Sequence, residues 1–472
     1  MKYLFKRKIY YRVCAELQKQ NTVFLLGPRK CGKTICLHQL NDSLKNVKYN
    51  DLKTLDKEQA SSLFDEIHHS IESNDDVIYL IDEITYAEFP EREINIIALL
   101  YSEYDNDKTH VVFTGSQSAA LEAWANRAFC GNTALIYADF LQYDEWLQYV
   151  GCDKISAETY SEFLYSVRDF YKLNSLQAYL QGCLEETIVS NMKTDNIILN
   201  NDCSLLDTDV LLDVCYATLF ILHNHASAGK FFQSNRLQMD ISFFFRDICK
   251  MIGNDEIAKR IERSFIGHYS SFRSRDLQVL KQAFWFLQRI GLITLTPVCS
   301  SIDNVPNVLN DLVSDESKID YKRDLFVKYN ACIKYPMFYI AILQDILEDA
   351  MPNELPPVLL GSIMECHARG LLPANNAFEL QDTSGHEIDY VNLTKSLSVE
   401  MTISNKRSTE QHFDMLPEYF MNIMLTKDIY TYSSHYCRMP YYEFIYRVSK
   451  DPSLQNLLQD NNITTKPKQV SF

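Results

Sequence analysis

The sequence predicts an α/β protein whose amino-terminal third is built around a parallel β-sheet. Short apolar, β-branched runs at 22–26, 77–81 and 111–113 alternate there with longer stretches of mixed polarity, which is the rhythm of strand–helix–strand units. Between about 160 and 290 the apolar residues recur at helical spacing, and from 321 to about 442 strand-like and helix-like segments mix again. A chain of 472 residues has room for about three domains, each able to bury its own core.

Composition and charge limit the partners that the whole surface can bind. With 46% apolar and 23% charged residues the chain is typical of globular protein. Its 46 Lys+Arg and 62 Asp+Glu give a net charge of −16, so the surface as a whole should repel nucleic acid and anionic membranes. The 13 cysteines form no C-x-x-C pair, and no signal-like or membrane-spanning apolar stretch stands out. We therefore expect reduced thiols and a cytoplasmic protein.

A glycine-rich loop follows the first predicted strand. Its sequence, GPRKCGKT, fits the pattern G-x-x-x-x-G-K-[ST] between a strand and a helix. In such a loop the backbone N–H groups turn toward phosphate oxygens, the lysine supplies a point charge, and the last hydroxyl completes a Mg²⁺ shell. We expect ATP and Mg²⁺ as ligands, with nucleotide contacts from Gly27, Pro28, Arg29, Lys30, Cys31, Gly32, Lys33, Thr34 and Ile35.

An acidic pair ends the second buried run. Asp82 and Glu83 come directly after VIYLI, at the carboxyl end of a predicted central strand, where ligands of parallel sheets bind. We predict that Asp82 holds Mg²⁺ together with Thr34 and that Glu83 polarises the attacking water. Taken alone, such a pair is more often a helix cap, but the loop about 45 residues upstream favours the metal site.

Two residues after the third run are candidates for contacts to the reacting phosphate. Ser116, with Thr114 behind it, follows the strand-like segment THVVFT, although Gly-Ser is equally typical of a plain turn. Arg127 is the nearest downstream cation that could stabilise transition-state charge, within the same chain or toward a neighbouring subunit. A solvated surface arginine is the alternative.

The thiol inside the glycine-rich loop is also of interest. Cys31 lies beside Lys30 and Lys33 at a predicted helix start, and nearby positive charge lowers the pKa of a thiol. This pattern predicts a reactive cysteine that bound nucleotide protects from modification.

The segments FLLGPRKCGKT, VIYLIDEI and VVFTGSQS together resemble the AAA-type ATPases of the archaeal-ATPase-like group. The resemblance implies a P-loop ATPase domain, a helical and winged-helix middle, and a nuclease-like carboxyl-terminal domain. Members usually have Gly-Arg where this chain has Asn126-Arg127. The division we predict is an ATPase domain at 1–150, a helical connector at 151–225, a winged-helix-like domain at 226–300, a linker at 301–320, a nuclease-like domain at 321–445 and a tail at 446–472.

The middle region has a surplus of positive charge in a chain that is acidic as a whole. Residues 221–300 contain eleven Lys+Arg against six Asp+Glu, a local surplus that permits phosphate contacts and hence DNA binding. A helical packing domain with a mixed charged face explains the same composition equally well, because winged helices also serve as protein-contact modules.

Three carboxylates in the last region resemble the core of restriction-endonuclease-like domains. Glu365 lies in a predicted helix, while Asp389 and Glu400 lie on two predicted strands, and such a cluster can hold the metals of phosphodiester hydrolysis. The lysine of that family's Glu-x-Lys pattern is replaced by Thr402, which carries no charge to activate water. We therefore favour a degenerate nuclease fold over an active one.

The function predicted from these motifs is Mg²⁺-dependent hydrolysis of ATP, with Lys33 and Glu83 as the main catalytic residues. Two other classes stay open: an active, ATP-regulated nuclease, and a slow nucleotide-gated switch that contacts a protein partner. An oligomer is compatible with each of them.

Overall fold

A computed structural model gives the architecture of the chain. The structure describes residues 5–131, 133–171, 175–193, 205–219, 255–302, 328–348, 355–373, 376–382, 387–401, 413–414, 416–433, 436–451, 454 and 457. Within these ranges the helices are α1 (Lys8–Leu17), α2 (Lys33–Ser43), α3 (Lys57–Ser73), α4 (Pro90–Glu103), α5 (Ser118–Phe129), α6 (Tyr143–Val150), α7 (Ala157–Phe170), α8 (Leu176–Lys193), α9 (Thr208–Ala217), α10 (Asp255–Ser274), α11 (Leu277–Arg289), α12 (Pro336–Leu347), α13 (Pro357–Leu371) and α14 (Tyr441–Lys450).

The strands fall into two sheets. The first contains β1 (Thr22–Leu26), β2 (Val47–Asp51), β3 (Val77–Asp82), β4 (Thr109–Thr114) and β5 (Ala134–Tyr137). The second contains β6 (Ile293–Ile302), β7 (Lys328–Ile333), β8 (Ala377–Asp382), β9 (Glu387–Asn392), β10 (Leu397–Glu400), β11 (Met421–Thr426), β12 (Thr431–Tyr432) and β13 (Cys437–Pro440).

The first sheet forms the centre of one compact unit, which comprises residues 1–145, 177–208 and 289–291. Its strand order is β2-β3-β4-β1-β5, and every pairing is parallel. The predicted parallel sheet is therefore confirmed. Because the carboxyl ends of parallel strands lie at one edge of a sheet, the loops after β1, β3 and β4 meet there.

Apolar side chains from both faces of this sheet make its core. All five residues of β1 are buried, and Phe24 stacks on Phe113 of β4 with ring centroids 5.1 Å apart, while Trp124 of α5 is buried against the same cluster. Helix α3 begins at a capping box. The Asp56 side chain accepts a hydrogen bond from the Gln59 backbone N–H, and the Gln59 side chain accepts one from the Asp56 backbone N–H.

The second unit comprises residues 146–176, 209–288 and 292–472. Its sheet is mixed, with strand order β12-β13-β11-β10-β9-β8-β6-β7. Parallel pairs join β6 to β8, β10 to β11 and β11 to β13, and the remaining pairs are antiparallel. The predicted helix carrying Glu365 and the two predicted strands carrying Asp389 and Glu400 are present as α13, β9 and β10.

The strand that follows α11 belongs to this second sheet, because β6 pairs with both β7 and β8. Residues 226–254 of the predicted winged-helix region (226–300) and residues 303–320 of the predicted linker (301–320) lie outside the described residues. The predicted domain boundaries and the winged helix stay predictions. Within the described ranges, every helix is too short or too polar to cross a bilayer.

Candidate functional site

The loop between β1 and α2 has a tightly curled backbone. Gly27, Lys30 and Gly32 all have positive φ, at 140°, 63° and 101°. A Cβ on Gly27 would lie 2.2 Å from the carbonyl oxygen of Ala138, so the first glycine of the motif is required by close backbone approach. The Gly27 N–H donates to Ser118 Oγ at 2.7 Å, which ties the loop to the start of α5.

Lys33 places its ammonium group inside this curl. It is the first residue of α2 and is buried. Its Nζ donates to the carbonyl oxygens of Gly27 and Pro28, each at 2.8 Å. A buried ammonium group at a helix start, surrounded by a turned backbone, is a point charge suited to a phosphate.

An arginine that sequence reasoning missed braces the loop from outside. Arg7 Nη1 donates to the Cys31 carbonyl at 2.7 Å, and Nη2 pairs with Glu145 Oε2 at 2.7 Å. Burial alone would raise the pKa of Glu145, but the Arg7 guanidinium outweighs it and the pKa is lowered. The basic start of the sequence was a signal for a charge here, but not for its partner.

Asp82 and Thr34 supply the oxygen ligands that a divalent cation would use. Asp82 ends β3 and is 2% exposed, and Tyr49 donates to its Oδ2 at 3.1 Å. Burial raises the pKa of Asp82, and the neighbouring Glu83 adds to this, against the lowering by hydrogen bonds from Thr34 and Tyr49. A buried carboxylate beside a hydroxyl fits Mg²⁺, which prefers oxygen ligands and would offset the burial of the negative charge.

Glu83 lies between two partners at the same sheet edge. Its backbone is left-handed, with φ 54° and ψ 49°. Oε2 accepts from the Ser116 N–H at 3.0 Å, while Oε1 lies 3.3 Å from Lys53 Nζ. The hydroxyl oxygens of Ser116 and Thr114 are buried and have no hydrogen-bond partner among the described residues. The predicted base, Glu83, and the predicted phosphate contact, Ser116, are thus adjacent through the Ser116 backbone N–H.

Arg127 is not brought to this site. It lies nine residues beyond Ser118 on α5, about 13 Å along the helix axis. Its Nη2 pairs with Glu91 Oε1 at 3.1 Å, and the side chain is half-exposed. The last turn of a helix is a favourable place for a cation, so the position has a structural reason within the chain. A role toward a neighbouring subunit stays a prediction.

The expected reactivity of Cys31 is wrong for this structure. The side chain is 1% exposed, and burial raises its thiol pKa despite the opposing charges of Lys33 and Arg7. The sequence places cations beside the thiol, but it does not reveal that the loop and its neighbours enclose it.

We predict that N-ethylmaleimide labels Cys130 at least about tenfold faster than Cys31 in the native protein. Cys130 is the exposed thiol that ends α5 and serves as the matched control. Peptide mass mapping over a time course gives both rates. Equal labelling rates in the native protein would contradict the burial of Cys31. Rates that become equal only when the protein is denatured would agree with it.

In the second unit two of the three predicted carboxylates, Glu365 and Asp389, contact one arginine, and Glu400 is near enough to Asp389 to influence its charge. Arg369 is on α13, one turn after Glu365, and is buried. Its guanidinium lies 3.3 Å from Glu365, 3.0 Å from Asp389 and 3.2 Å from Glu379. We call Arg369 and these carboxylates, together with Glu400, the arginine–carboxylate cluster.

The arginine–carboxylate cluster already contains a positive charge, whereas the carboxylates of a metal site receive theirs from the ion. Burial raises the pKa of Asp389 well above its ordinary value, and the charges of Glu400 and Glu365 add to this against the opposing Arg369. The Met401 N–H also donates to Asp389 Oδ2, at 2.6 Å. Among the described residues no group of three side chains is arranged to hold a metal. Thr402 lies outside the described residues.

We predict that Asp389→Asn removes part of the pH dependence of stability. With its pKa raised on folding, Asp389 stabilises the folded state fully below its unfolded pKa, near 4, and this contribution is lost as the pH rises through its folded pKa. The variant lacks this titration. Its unfolding free energy in urea should therefore fall less than that of wild type between pH 4 and 8, by on the order of 1 kcal/mol.

Asp414→Asn is the control for this prediction, because Asp414 is exposed and its substitution should keep the wild-type slope. A slope in Asp389→Asn that matches wild type would contradict the raised pKa.

Comparisons with known proteins place the first site in a class. Residues 19–147 match the family model described as an AAA domain. This range contains the curled loop, Asp82 and Glu83. That part of the chain is an AAA-type P-loop ATPase domain, a family whose members bind nucleotides.

Several solved structures of other proteins are similar to this chain at low sequence identity. A Walker-type ATPase of Pyrococcus abyssi shares 14% identity, with 72% of this chain and 96% of that chain covered and a TM-score of 0.31. DnaA of Aquifex aeolicus bound to AMPPCP shares 13%, with 59% and 85% covered and a TM-score of 0.27. The RuvB Holliday junction branch migration motor of Thermotoga maritima shares 13%, with 61% and 89% covered and a TM-score of 0.27. No curated protein matches the chain.

Proposed function

We propose that the chain hydrolyses ATP in a Mg²⁺-dependent reaction. The observation that carries this proposal is the placement of the Lys33 ammonium, the Asp82 carboxylate and the Glu83 carboxylate at the ends of β1 and β3 in one parallel sheet. These are the three charges that phosphoryl transfer to water requires: one on the phosphates, one on the metal and one near the nucleophile.

The roles follow from the contacts. Lys33 would exchange its bonds to the loop carbonyls for phosphate oxygens. Asp82 and Thr34 would hold Mg²⁺, which when bound neutralises charge on the phosphates. Glu83 would orient and deprotonate the attacking water. The hydrogen bond from the Ser116 N–H to Glu83 Oε2 would hold one carboxylate oxygen in place.

We propose further that nucleotide state is transmitted to the second unit. The partner that this change would act on is either DNA, bound through the basic residues of 221–300, or another protein. Because the chain as a whole is acidic, DNA binding would be limited to a local surface. The free thiols of the described cysteines suit a cytoplasmic location.

We predict that Lys33→Ala weakens ATP binding on the order of a hundredfold, because a buried charged contact to phosphate contributes about 2–3 kcal/mol. Glu83→Gln should retain binding and lose turnover by a similar factor, since it removes a general base. Calorimetric ATP titration and phosphate release measure the two effects separately.

Lys45→Ala is the matched control, because Lys45 is an exposed lysine just beyond α2 and its loss should change neither quantity. Normal turnover in Lys33→Ala would refute the proposed function.

An active nuclease is not favoured by the arginine–carboxylate cluster. The Arg369 guanidinium already supplies a positive charge among Glu365, Asp389 and Glu379. A divalent cation at the same carboxylates would have to tolerate or displace that buried charge. We therefore propose that this module is a degenerate nuclease fold used for structure or contact.

We predict that the purified full chain cleaves neither DNA nor RNA with Mg²⁺ or Mn²⁺, with or without ATP, and that Glu400→Ala leaves the background unchanged. Gel assays on single- and double-stranded substrates test this. Metal-dependent cleavage that disappears in Glu400→Ala would instead establish an active nuclease.

A further inference from the structure

Two further cations lie close to the curled loop, and both contact one carboxylate. Arg29 is in the loop itself, and Lys53 follows β2. Arg29 Nη1 and Lys53 Nζ each lie 3.5 Å from the same atom, Glu186 Oε1, on α8. Lys53 also lies 3.3 Å from Glu83 Oε1. Glu186 is thus connected to the loop on one side and to the proposed base on the other.

The Glu186 carboxylate is well placed to attract these cations. Its side chain is 10% exposed, compared with about a third for Arg29 and Lys53. Burial alone would lower the pKa of Lys53, but the charges of Glu83 and Glu186 outweigh it and the pKa is raised. Arg29 and Lys53 thus both direct positive charge toward Glu186 on α8.

Helix α8 is shaped to receive the loop. A Cβ on Gly182 would lie 1.9 Å from Arg29 Nη1, so a glycine at this position gives the guanidinium its space. Cys183 follows and is buried, with its thiol pKa raised by burial to about 12 in spite of the nearby Arg29. Gly182 and Glu186 are four residues apart and share one helix face.

A second contact fixes the same part of α8 to the sheet edge. Gln117 Nε2, just before α5, donates to Thr187 Oγ1 at 2.9 Å, and both side chains are buried. Thr187 is next to Glu186, while Gln117 is next to Ser116, whose N–H donates to Glu83. The two contacts hold α8 against the loop and against the residues that flank the proposed base.

We propose that Glu186 competes with nucleotide phosphate for Arg29 and Lys53, so that α8 is a latch that nucleotide binding releases. This inference rests on the proposed function, because it presumes that the loop binds phosphate. A triphosphate carries more negative charge than one carboxylate and accepts hydrogen bonds from arginine in the same forked geometry. When phosphate takes the two cations, Glu186 loses its ionic contacts to Arg29 and Lys53, and this turn of α8 is held less firmly against the loop.

The test measures affinity for a nonhydrolysable ATP analogue with Mg²⁺, using the full chain. Glu186→Gln should bind the analogue about fivefold more tightly, because the competing charge is gone while the side chain keeps its size. Gly182→Ala should act in the same direction without a charge change, since its methyl group displaces the Arg29 guanidinium from Glu186. Glu185→Gln is the matched control, because Glu185 is exposed on the same helix and pairs with Gln181.

Amide hydrogen exchange gives a second readout. In wild type, adding the analogue should speed exchange at 182–187, and Glu186→Gln should show this faster exchange before the analogue is added. Unchanged or weaker affinity in both Glu186→Gln and Gly182→Ala, with Lys33→Ala still weakening binding on the order of a hundredfold, would overturn the latch and leave the proposed function intact. If wild type and Lys33→Ala are equally unable to bind, the proposed function itself is refuted.

Discussion

The close approach of two backbone segments at Gly27 is the constraint on which the proposed nucleotide site depends. β5 lies beside β1, and the chain leaves it so that the Ala138 carbonyl oxygen occupies the space where any side chain at position 27 would begin. The loop then has to turn away from the sheet, and it does so with positive φ at three positions. That turn encloses Lys33 and brings Arg29 toward α8. A residue with a Cβ at position 27 would move all of these groups together.

The two carboxylate sites of the chain differ in where their positive charge comes from. In the second unit the charge is internal, because Arg369 sits among Glu365, Asp389 and Glu379 with donors directed at each. In the first unit Asp82 is buried beside the neutral hydroxyls of Tyr49 and Thr34. Burial of a carboxylate is costly without a counter-charge. This contrast is why we assign the external cation to Asp82 and none to the arginine–carboxylate cluster.

The sequence predicts best those features that depend on local pattern. β1 spans the predicted run 22–26, and Asp82 and Glu83 lie at the predicted sheet edge, because strand periodicity and the loop motif are written in consecutive residues. Contacts between distant segments were not predictable: Arg7 meets Cys31 and Glu145 from 24 and 138 positions away. The burial of Cys31 belongs to this second kind, and it reversed the expected direction of the thiol pKa.

Glu186 links the charge of Arg29 in the curled loop with the charge of Lys53 beside Glu83. One carboxylate oxygen contacts a loop cation and also the lysine that pairs with the proposed base, so a change at the loop has a direct electrostatic route to Glu83. The chain enters α8 from a segment of the second unit, 146–176, and returns to that unit at 209. Because the chain on both sides of α8 continues into the second unit, a helix released from the loop would leave both chain segments freer to move. Nucleotide state would then reach the second unit through α8 without any contact to the arginine–carboxylate cluster.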